Sequence, residues 1–435
     1  MICKNLSVKD GNLYFAGQDV CALLREYGSP LYLLDADRVR ENCRTYLKAM
    51  KEAMPGGLPL YASKALSFKD IYRIIKEEGM GVDVVSAGEI YTAAQAGFPM
   101  EKAYFHSNNK TDEDIAFAME QGVGYFVADN EEELTAIERI AAEKGLRQRV
   151  LLRLTPGIDP HTFEAVATGK VDSKFGAAIE TGQAAVMTEY ALTLPHVELR
   201  GFHCHVGSQV FDSDVFLRAA DVMLTFIADI YQKHGYFETE LDLGGGYGVR
   251  YKEEDPVLDI AANIAEVGAA VKAKCAELNI PVPALRLEPG RSIVADAGLT
   301  LYTVGTIKRI PGYKNYVSID GGMTDNPRYA LYRAGHEVLI ANKPGLPPIE
   351  EYTIAGRCCE SDDMIREKVP LPAAEPGDTL AVLTTGAYNY SMASHYNCVP
   401  RPPVVMLRGG EDDYLAVRRE TYEDLLACQR DAADA

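Results

Sequence analysis

From Leu58 to Glu288 the chain repeats one pattern, in which short apolar runs are separated by amphipathic stretches. The runs lie at Leu58 to Lys64, Gly81 to Ser86, Ala103 to Ser107, Tyr125 to Asp129, Val150 to Thr155, Leu199 to Val206, Glu240 to Leu243 and Ala284 to Glu288. Over the first five the interval is about 20 to 25 residues. The stretches between them have helical spacing, as in Lys69-Asp-Ile-Tyr-Arg-Ile-Ile-Lys-Glu-Glu, and Thr111 stands where an N-cap belongs, ahead of Asp112-Glu-Asp-Ile-Ala-Phe-Ala-Met-Glu. Strand alternating with helix implies parallel pairing, and eight such units are the number that closes a (β/α)8 barrel. An open doubly wound sheet is the rival, but it usually has fewer strands and one dominant glycine fingerprint after the first. The expected fold class is α/β, a (β/α)8 TIM-type barrel followed by a mostly β C-terminal domain.

At 435 residues the chain is long for one core, and the pattern changes from about Ser292. Strands separated by Gly and Pro take over, among them Thr300-Leu-Tyr-Thr-Val-Gly-Thr-Ile, Tyr316-Val-Ser-Ile-Asp, Thr379-Leu-Ala-Val-Leu-Thr and Val404-Val-Met-Leu. No long helical run returns until Glu420 to Cys428. At the other end, Asp10-Gly11 breaks Leu6-Ser-Val-Lys from Leu13-Tyr-Phe in the manner of a hairpin, and residues 36 to 53 have helical spacing after Leu31-Tyr-Leu-Leu-Asp35. The expected division is a barrel over residues 26–290 and a β domain over residues 291–435. Sequence pattern alone leaves open whether the hairpin in residues 1–25 joins that β domain. One interval, Thr155 to Leu199, is too long. It holds an insertion from Asp159-Pro-His-Thr-Phe through Thr168-Gly-Lys-Val-Asp-Ser-Lys-Phe-Gly176, placed as a loop beside a site would be.

Charge and cysteine usage narrow the partners. A formal net charge of -19 and a pI near 4.9 repel phosphate polymers and anionic lipid. No run approaches the ~20 apolar residues needed to span a bilayer, and Met1-Ile-Cys-Lys-Asn-Leu-Ser has no secretory core. The nine cysteines are odd in number, scattered and without a CxxC pair, which is neither a disulfide framework nor a zinc site. The expectation is a cytoplasmic protein without nucleic acid, membrane or metal as partner.

A parallel barrel does its chemistry at the C-terminal ends of its strands. The polar residues there are Lys64, Asp83 with Ser86 and Glu89, His106, Arg153, His205 with Ser208, Gly244-Gly-Gly246, and Glu288 through Arg291. Lys64 ends an apolar run abruptly. A lysine partly withdrawn from water has its ammonium form disfavoured and its amine made nucleophilic, able to form a Schiff base with an aldehyde. A lysine snorkelling out of the core is the plain alternative. Gly244-Gly-Gly246 and Gly290 let backbone N–H groups approach a phosphate closely, and they fall after the seventh and eighth strands, where barrels commonly hold one. An aldehyde-reactive lysine facing a phosphate site suggests pyridoxal 5'-phosphate. Glu288 would then keep the pyridine nitrogen protonated, its alternative being an ion pair with Arg291.

At these residues the chain resembles the pyridoxal-phosphate decarboxylases built on an alanine-racemase-like barrel. The motifs are Tyr61-Ala-Ser-Lys64, Asp83-Val-Val-Ser-Ala-Gly-Glu89, His106-Ser-Asn-Asn-Lys110, Asp172-Ser-Lys-Phe-Gly176, His203-Cys-His-Val-Gly-Ser-Gln209, Gly244-Gly-Gly246, Glu288-Pro-Gly-Arg291, Arg328-Tyr-Ala-Leu-Tyr332, Cys359-Glu-Ser361 and Gly386-Ala-Tyr388, running nearly end to end. The resemblance implies that Lys64 carries the cofactor and that His205 stacks on its ring. It implies that Ser208, Gly244, Gly245, Gly246 and Gly290 bind phosphate, and that Glu288 holds the ring nitrogen. Tyr388 and Arg291 would stand by both cofactor and substrate, with Arg328, Tyr332 and Glu360 completing the substrate site. Cys359 would donate the proton. The resemblance further implies a homodimer whose sites are shared, Cys359 and Glu360 reaching the other subunit's Lys64, and a β domain that includes the N-terminal hairpin. Two departures, Asp362 beside Asp363 and Tyr329 after Arg328, remove no functional group.

Within that family the motifs resemble those of members that decarboxylate meso-2,6-diaminopimelate to L-lysine, the last step of lysine biosynthesis. The distal end of that substrate is a zwitterion and needs a cation and an anion, here Arg328 with Arg291, and Glu360. Ornithine lacks the distal carboxylate. Another basic substrate such as carboxynorspermidine is the runner-up, and a racemase on the same barrel is disfavoured by an acid, Glu288, at the ring nitrogen.

Overall fold

The computed structural model describes residues 2–158, 172–236, 240–409 and 412–431. The described residues form two compact units, one from Met1–Val39, Arg250–Asp255 and Val294–Ala435, the other from Arg40–Val249 and Pro256–Ile293.

The second unit is the barrel. Its strands are β1 (Leu58–Ala62), β2 (Gly81–Val84), β3 (Ala103–Phe105), β4 (Tyr125–Ala128), β5 (Gln148–Thr155), β6 (Val197–His203), β7 (Glu240–Asp242) and β8 (Ala284–Leu287). Each pairs in parallel with the next, and β8 pairs with β1, with Arg286 opposite Leu58 and Leu287 opposite Pro59, so the sheet closes. All eight apolar runs are strands, because a barrel strand is covered by helices outside and by its neighbours' side chains inside. The helices begin where local chemistry starts them. Thr111 caps Asp112–Glu120 and makes a capping box with Asp114, and Ser86 Oγ accepts the Glu89 N–H at the head of Ala87–Gln95. Leu60, Tyr104, Val127 and Leu151 pack inside the barrel. Beneath them Arg286 and Glu240 form a buried pair at 3.1 Å, and the Tyr104 hydroxyl donates to Glu240 at 2.8 Å. The long interval after β5 adds a short strand, Ala177–Ala178, beside Leu154 and Thr155. Its expected loop from Asp159 through residue 171 lies outside the described residues.

The other unit is mostly β. Its sheet runs in the order Met364–Leu371, Glu350–Ala355, Lys314–Ile319, Gly298–Ile310, Leu31–Asp35, Val404–Arg408, Asp412–Val417. Thr379–Leu383 joins Gly298–Ile310 and is itself paired by Val338–Ile340. The N-terminal hairpin pairs Leu6–Lys9 with Asn12–Phe15 across Asp10 and Gly11, both at positive φ (52° and 80°), the twist a two-residue hairpin needs. Leu13 and Phe15 pack with Leu299, Leu301 and Leu383, so the hairpin belongs to this unit. So do residues 26–39, which the sequence pattern placed in the barrel. Leu31–Asp35 is buried throughout and pairs antiparallel with Gly298–Leu301 and in parallel with Val404–Leu407. A fully buried strand reads alike in either unit, and only its distant partners decide.

Candidate active site

The barrel mouth begins at the end of β1. The strand stops at Ala62, and Ser63–Ala65 form one 3-10 turn in which Ser63 and Ala65 are buried and Lys64 is exposed. The exposure differs from the expected partly withdrawn lysine: the flanking small residues take the inward positions, and the turn carries the longer side chain beyond the apolar run. The turn itself is pinned. Ser63 Oγ donates to Glu89 Oε2 at 2.6 Å, the Val85 N–H donates to the same oxygen at 2.7 Å, and the Tyr61 hydroxyl donates to Leu66 O at 2.8 Å. The Lys64 charge acts on Asp83, Glu89, His203 and His205, so it stands over the same mouth.

At the end of β8, Glu288 is buried, 5% exposed, between two imidazoles. His106 Nε2 lies 2.7 Å from Oε1, out of line for a hydrogen bond, and His203 Nε2 lies 3.3 Å from Oε2 in line for one. Burial opposes the charge on Glu288, but the attraction of His106 and His203, with the His203 hydrogen bond, outweighs it and holds this carboxyl well below the usual range. His106 is pushed down to about 3, first by burial. Asp83 and Asp242 go the other way: burial first, then the Glu288 charge, raise both well above the carboxylate range. The ligand atoms of His106, His203 and Glu288 lie within 4.8 Å of one another, a spacing that would also admit a metal ion.

The loops after β6 and β7 close on each other. His205 Nδ1 accepts the Gly245 N–H at 3.2 Å, and its pKa is lowered well below the ordinary value by burial, then by Lys64. A Cβ on Gly245 would stand 2.0 Å from Glu288 O, and one on Gly246, at φ +106°, 2.1 Å from Gly207 O. Only glycine permits so close an approach of three backbones. Arg291 Nη2 donates to Ser208 Oγ at 3.0 Å, which joins the loop after β6 to the residues after β8. Arg153, also expected at the mouth, lies 3.9 Å from Asp129 and over the Phe175 ring.

The remaining expected residues lie in the β unit. Arg328 opens a short helix, Arg328–Tyr332, and is only 5% exposed, its guanidinium 4.6 Å from the Tyr251 ring centroid and 6.0 Å from that of Tyr332. Cys359 and Glu360 are exposed, on the loop between Glu350–Ala355 and Met364–Leu371. The Cys359 N–H donates to Asn397 Oδ1 at 2.8 Å. Asp363, 3% exposed, ties the loop's base by accepting the Met323 and Cys358 N–H groups, each at 2.6 Å. Tyr388 is half-buried at φ +60°, a left-handed conformation that a non-glycine residue adopts at a cost.

Sequence reasoning gave no role to His203, Asp242 or Asp363. The signal for His203 was present: it alternates with His205, and positions two apart share one face of a strand.

Comparison with known proteins agrees with this geometry. The family model described as "Pyridoxal-dependent decarboxylase, pyridoxal binding domain" matches residues 38–295. The diaminopimelate decarboxylase of Bacillus subtilis is 43% identical over 416 residues, covering 96% of this chain and 94% of that protein. Among solved structures, the diaminopimelate decarboxylase of M. jannaschii in complex with L-lysine superimposes with a TM-score of 0.93 at 33% identity, over 100% of this chain and 99% of that one. The Helicobacter pylori enzyme, also with L-lysine, gives 0.85 at 30% identity over 94% and 98%. With a closed barrel, an ionised glutamate at its eighth strand and relatives matched along nearly their whole length, the chain belongs to the diaminopimelate decarboxylases of the pyridoxal-dependent decarboxylase family.

Proposed function

We propose that this chain converts meso-2,6-diaminopimelate to L-lysine and CO2 with pyridoxal 5'-phosphate held covalently by Lys64. The observation that carries the reading is Glu288, a carboxylate kept ionised although buried, in the same mouth as Lys64 and the glycine loop. The residues present fit the cofactor. Glu288 Oε1 is buried without an aligned hydrogen bond, as an acceptor for a protonated ring nitrogen would be. Ser208, Arg291 and the backbone at Gly244, Gly245, Gly246 and Gly290 can meet a phosphate from three loops. When bound, the cofactor supplies a ring that takes up the electron pair released with CO2.

The side chains do the rest. Glu288 keeps the ring nitrogen protonated, and neutral His205, fixed at Nδ1 by Gly245, offers its face to the ring. Cys359 Sγ–H returns a proton to the carbon that lost CO2. Arg328 and Arg291 pair with the distal carboxylate and Glu360 with the distal ammonium, while Tyr332 and Tyr388 line the substrate. The burial of Arg328 supports its assignment, since a largely desolvated guanidinium binds a carboxylate more strongly than an exposed one. L-lysine, bound in the relatives' structures, is the product this site would hold. We further assign the active unit as an isologous homodimer in the cytoplasm, Lys64 of one subunit working with Cys359 of the other. No helix among the described residues is long and apolar enough to cross a membrane.

A product assay with diaminopimelate, ornithine and carboxynorspermidine tests the reading. L-lysine from the first, with little turnover of the others, is expected; equal or better turnover of ornithine would overturn it. Arg328→Ala should raise KM for diaminopimelate by an amount worth about 2 to 4 kcal/mol, and an unchanged KM would remove the argument for a distal carboxylate.

A further inference from the structure

We propose that His106 and His203 are positioning residues that fix the Glu288 carboxylate, His203 by a hydrogen bond to Oε2 and His106 by close contact beside Oε1, so that its charge is aimed at the ring nitrogen of the cofactor. The inference rests on the role of Glu288 proposed above. Three strands converge to make the clamp. His106 follows β3 and is anchored by its N–H to Val84 O at 2.8 Å, His203 ends β6, and Glu288 follows β8. The two Nε2 atoms lie 2.7 Å and 3.3 Å from Oε1 and Oε2, and the imidazoles brace each other edge to face at 4.8 Å and 69°. All three side chains are at most 5% exposed, so water does not substitute for either contact.

An ionised carboxylate only accepts, which assigns Nε2–H to His203, while His106 Nε2 lies against Oε1 out of line and confines that oxygen by contact, leaving its acceptor direction open. Their type matters as much as their place. An arginine or lysine here would neutralise Glu288 and leave nothing for the cofactor, whereas an uncharged N–H orients the carboxylate and leaves its charge unspent. The surroundings are consistent with this: burial, then the Glu288 charge, raise the pKa of Asp83, whose Oδ1 is 3.7 Å from His106 Nε2, and of Asp242, held by the Gly244 N–H at 2.8 Å. Their shifts disfavour a second negative charge beside Glu288.

The test uses His106→Leu, His203→Leu, the double variant, and His106→Gln and His203→Gln, which retain an N–H donor, with Glu288→Gln as reference. Cofactor dissociation constants come from absorbance titration of each apoprotein with pyridoxal 5'-phosphate, kcat and KM from the diaminopimelate assay, and folding from circular dichroism. Each leucine variant should lose about tenfold to a hundredfold in kcat and about tenfold in cofactor affinity, with KM for diaminopimelate within about threefold. Each glutamine variant should recover most of both losses. If the glutamine variants are as poor as the leucine ones, or if folded leucine variants keep kcat and cofactor affinity within about twofold while Glu288→Gln loses both, the clamp is wrong and the role of Glu288 stands. Where a leucine variant does not fold, its glutamine counterpart decides, since parent-like values there support the donor and a leucine-sized loss overturns it. A Glu288→Gln enzyme as active as the parent would end both readings.

Discussion

The loops after β1 and β3 each present one lysine, and the protein treats the two oppositely. Lys110 has a fully buried side chain, and its ammonium donates to Glu133 Oε1 at 2.8 Å, Val127 O at 2.8 Å and Ser107 O at 3.1 Å, using all three hydrogens. The other oxygen of Glu133 accepts the Asp129 N–H at 3.1 Å, so this lysine stitches the loop after β3 to β4 and its helix. Lys64 sits on a pinned turn but is itself exposed. Withdrawal from water therefore marks the lysine that ties the barrel, and exposure marks the one proposed to hold the cofactor. A nucleophile must be reached, and rigid support can come from its neighbours' hydrogen bonds instead of its own burial.

Substitutions at the two lysines should separate cleanly. Lys64→Ala is expected to lose on the order of a thousandfold or more in kcat while melting near the parent apoprotein, as read by steady-state assay and calorimetry. Lys110→Met leaves Glu133 buried and unpaired, and should destabilise the barrel by about 3 to 5 kcal/mol, measured by urea unfolding, while kcat per folded molecule stays within a few-fold. If Lys110→Met instead lost activity at full stability, the structural assignment of Lys110 would fail. Adding Glu133→Leu removes the orphaned charge and should return most of the lost stability. No recovery in the double variant would mean that Lys110 acts through its backbone acceptors and not through the pair.

The smallest effect sharpens what the exposure of Lys64 is for. Lys64→Ala and Cys359→Ala homodimers should each be nearly inactive, yet mixing them with subunit exchange makes roughly half the dimers mixed, each with one intact and one doubly damaged site. Activity should return to about a quarter of the parent's. Absence of recovery, once exchange is verified by mass measurement of differently tagged chains, would place both residues of each site in one subunit.

Much of this was legible in the sequence because it is local. Period-2 and period-3.6 patterns located all eight barrel strands, the helix Ala36–Ala53, the Asp10-Gly11 hairpin and the Thr111 cap. Pairing over long separations was not legible: nothing in Leu31-Tyr-Leu-Leu-Asp35 says that its partners are Gly298–Leu301 and Val404–Leu407 rather than a barrel strand. The exposure of Lys64 was hidden for a similar reason. Its strand ends two residues before Lys64, and the run from Leu58 to Lys64 gives no sign of the turn at Ser63. The grouping of His106 and His203 on Glu288 joins three strands that are neighbours only once the barrel closes.

The exposed Lys64, and not the buried Lys110, is the lysine proposed to hold the cofactor over Glu288. Borohydride reduction of the cofactor-loaded enzyme followed by peptide mapping tests it directly. One fixed cofactor per chain is expected, on Lys64, with Lys110 unlabelled. Label on Lys110 or on any lysine other than Lys64, or a reduced enzyme carrying no fixed cofactor, would contradict it.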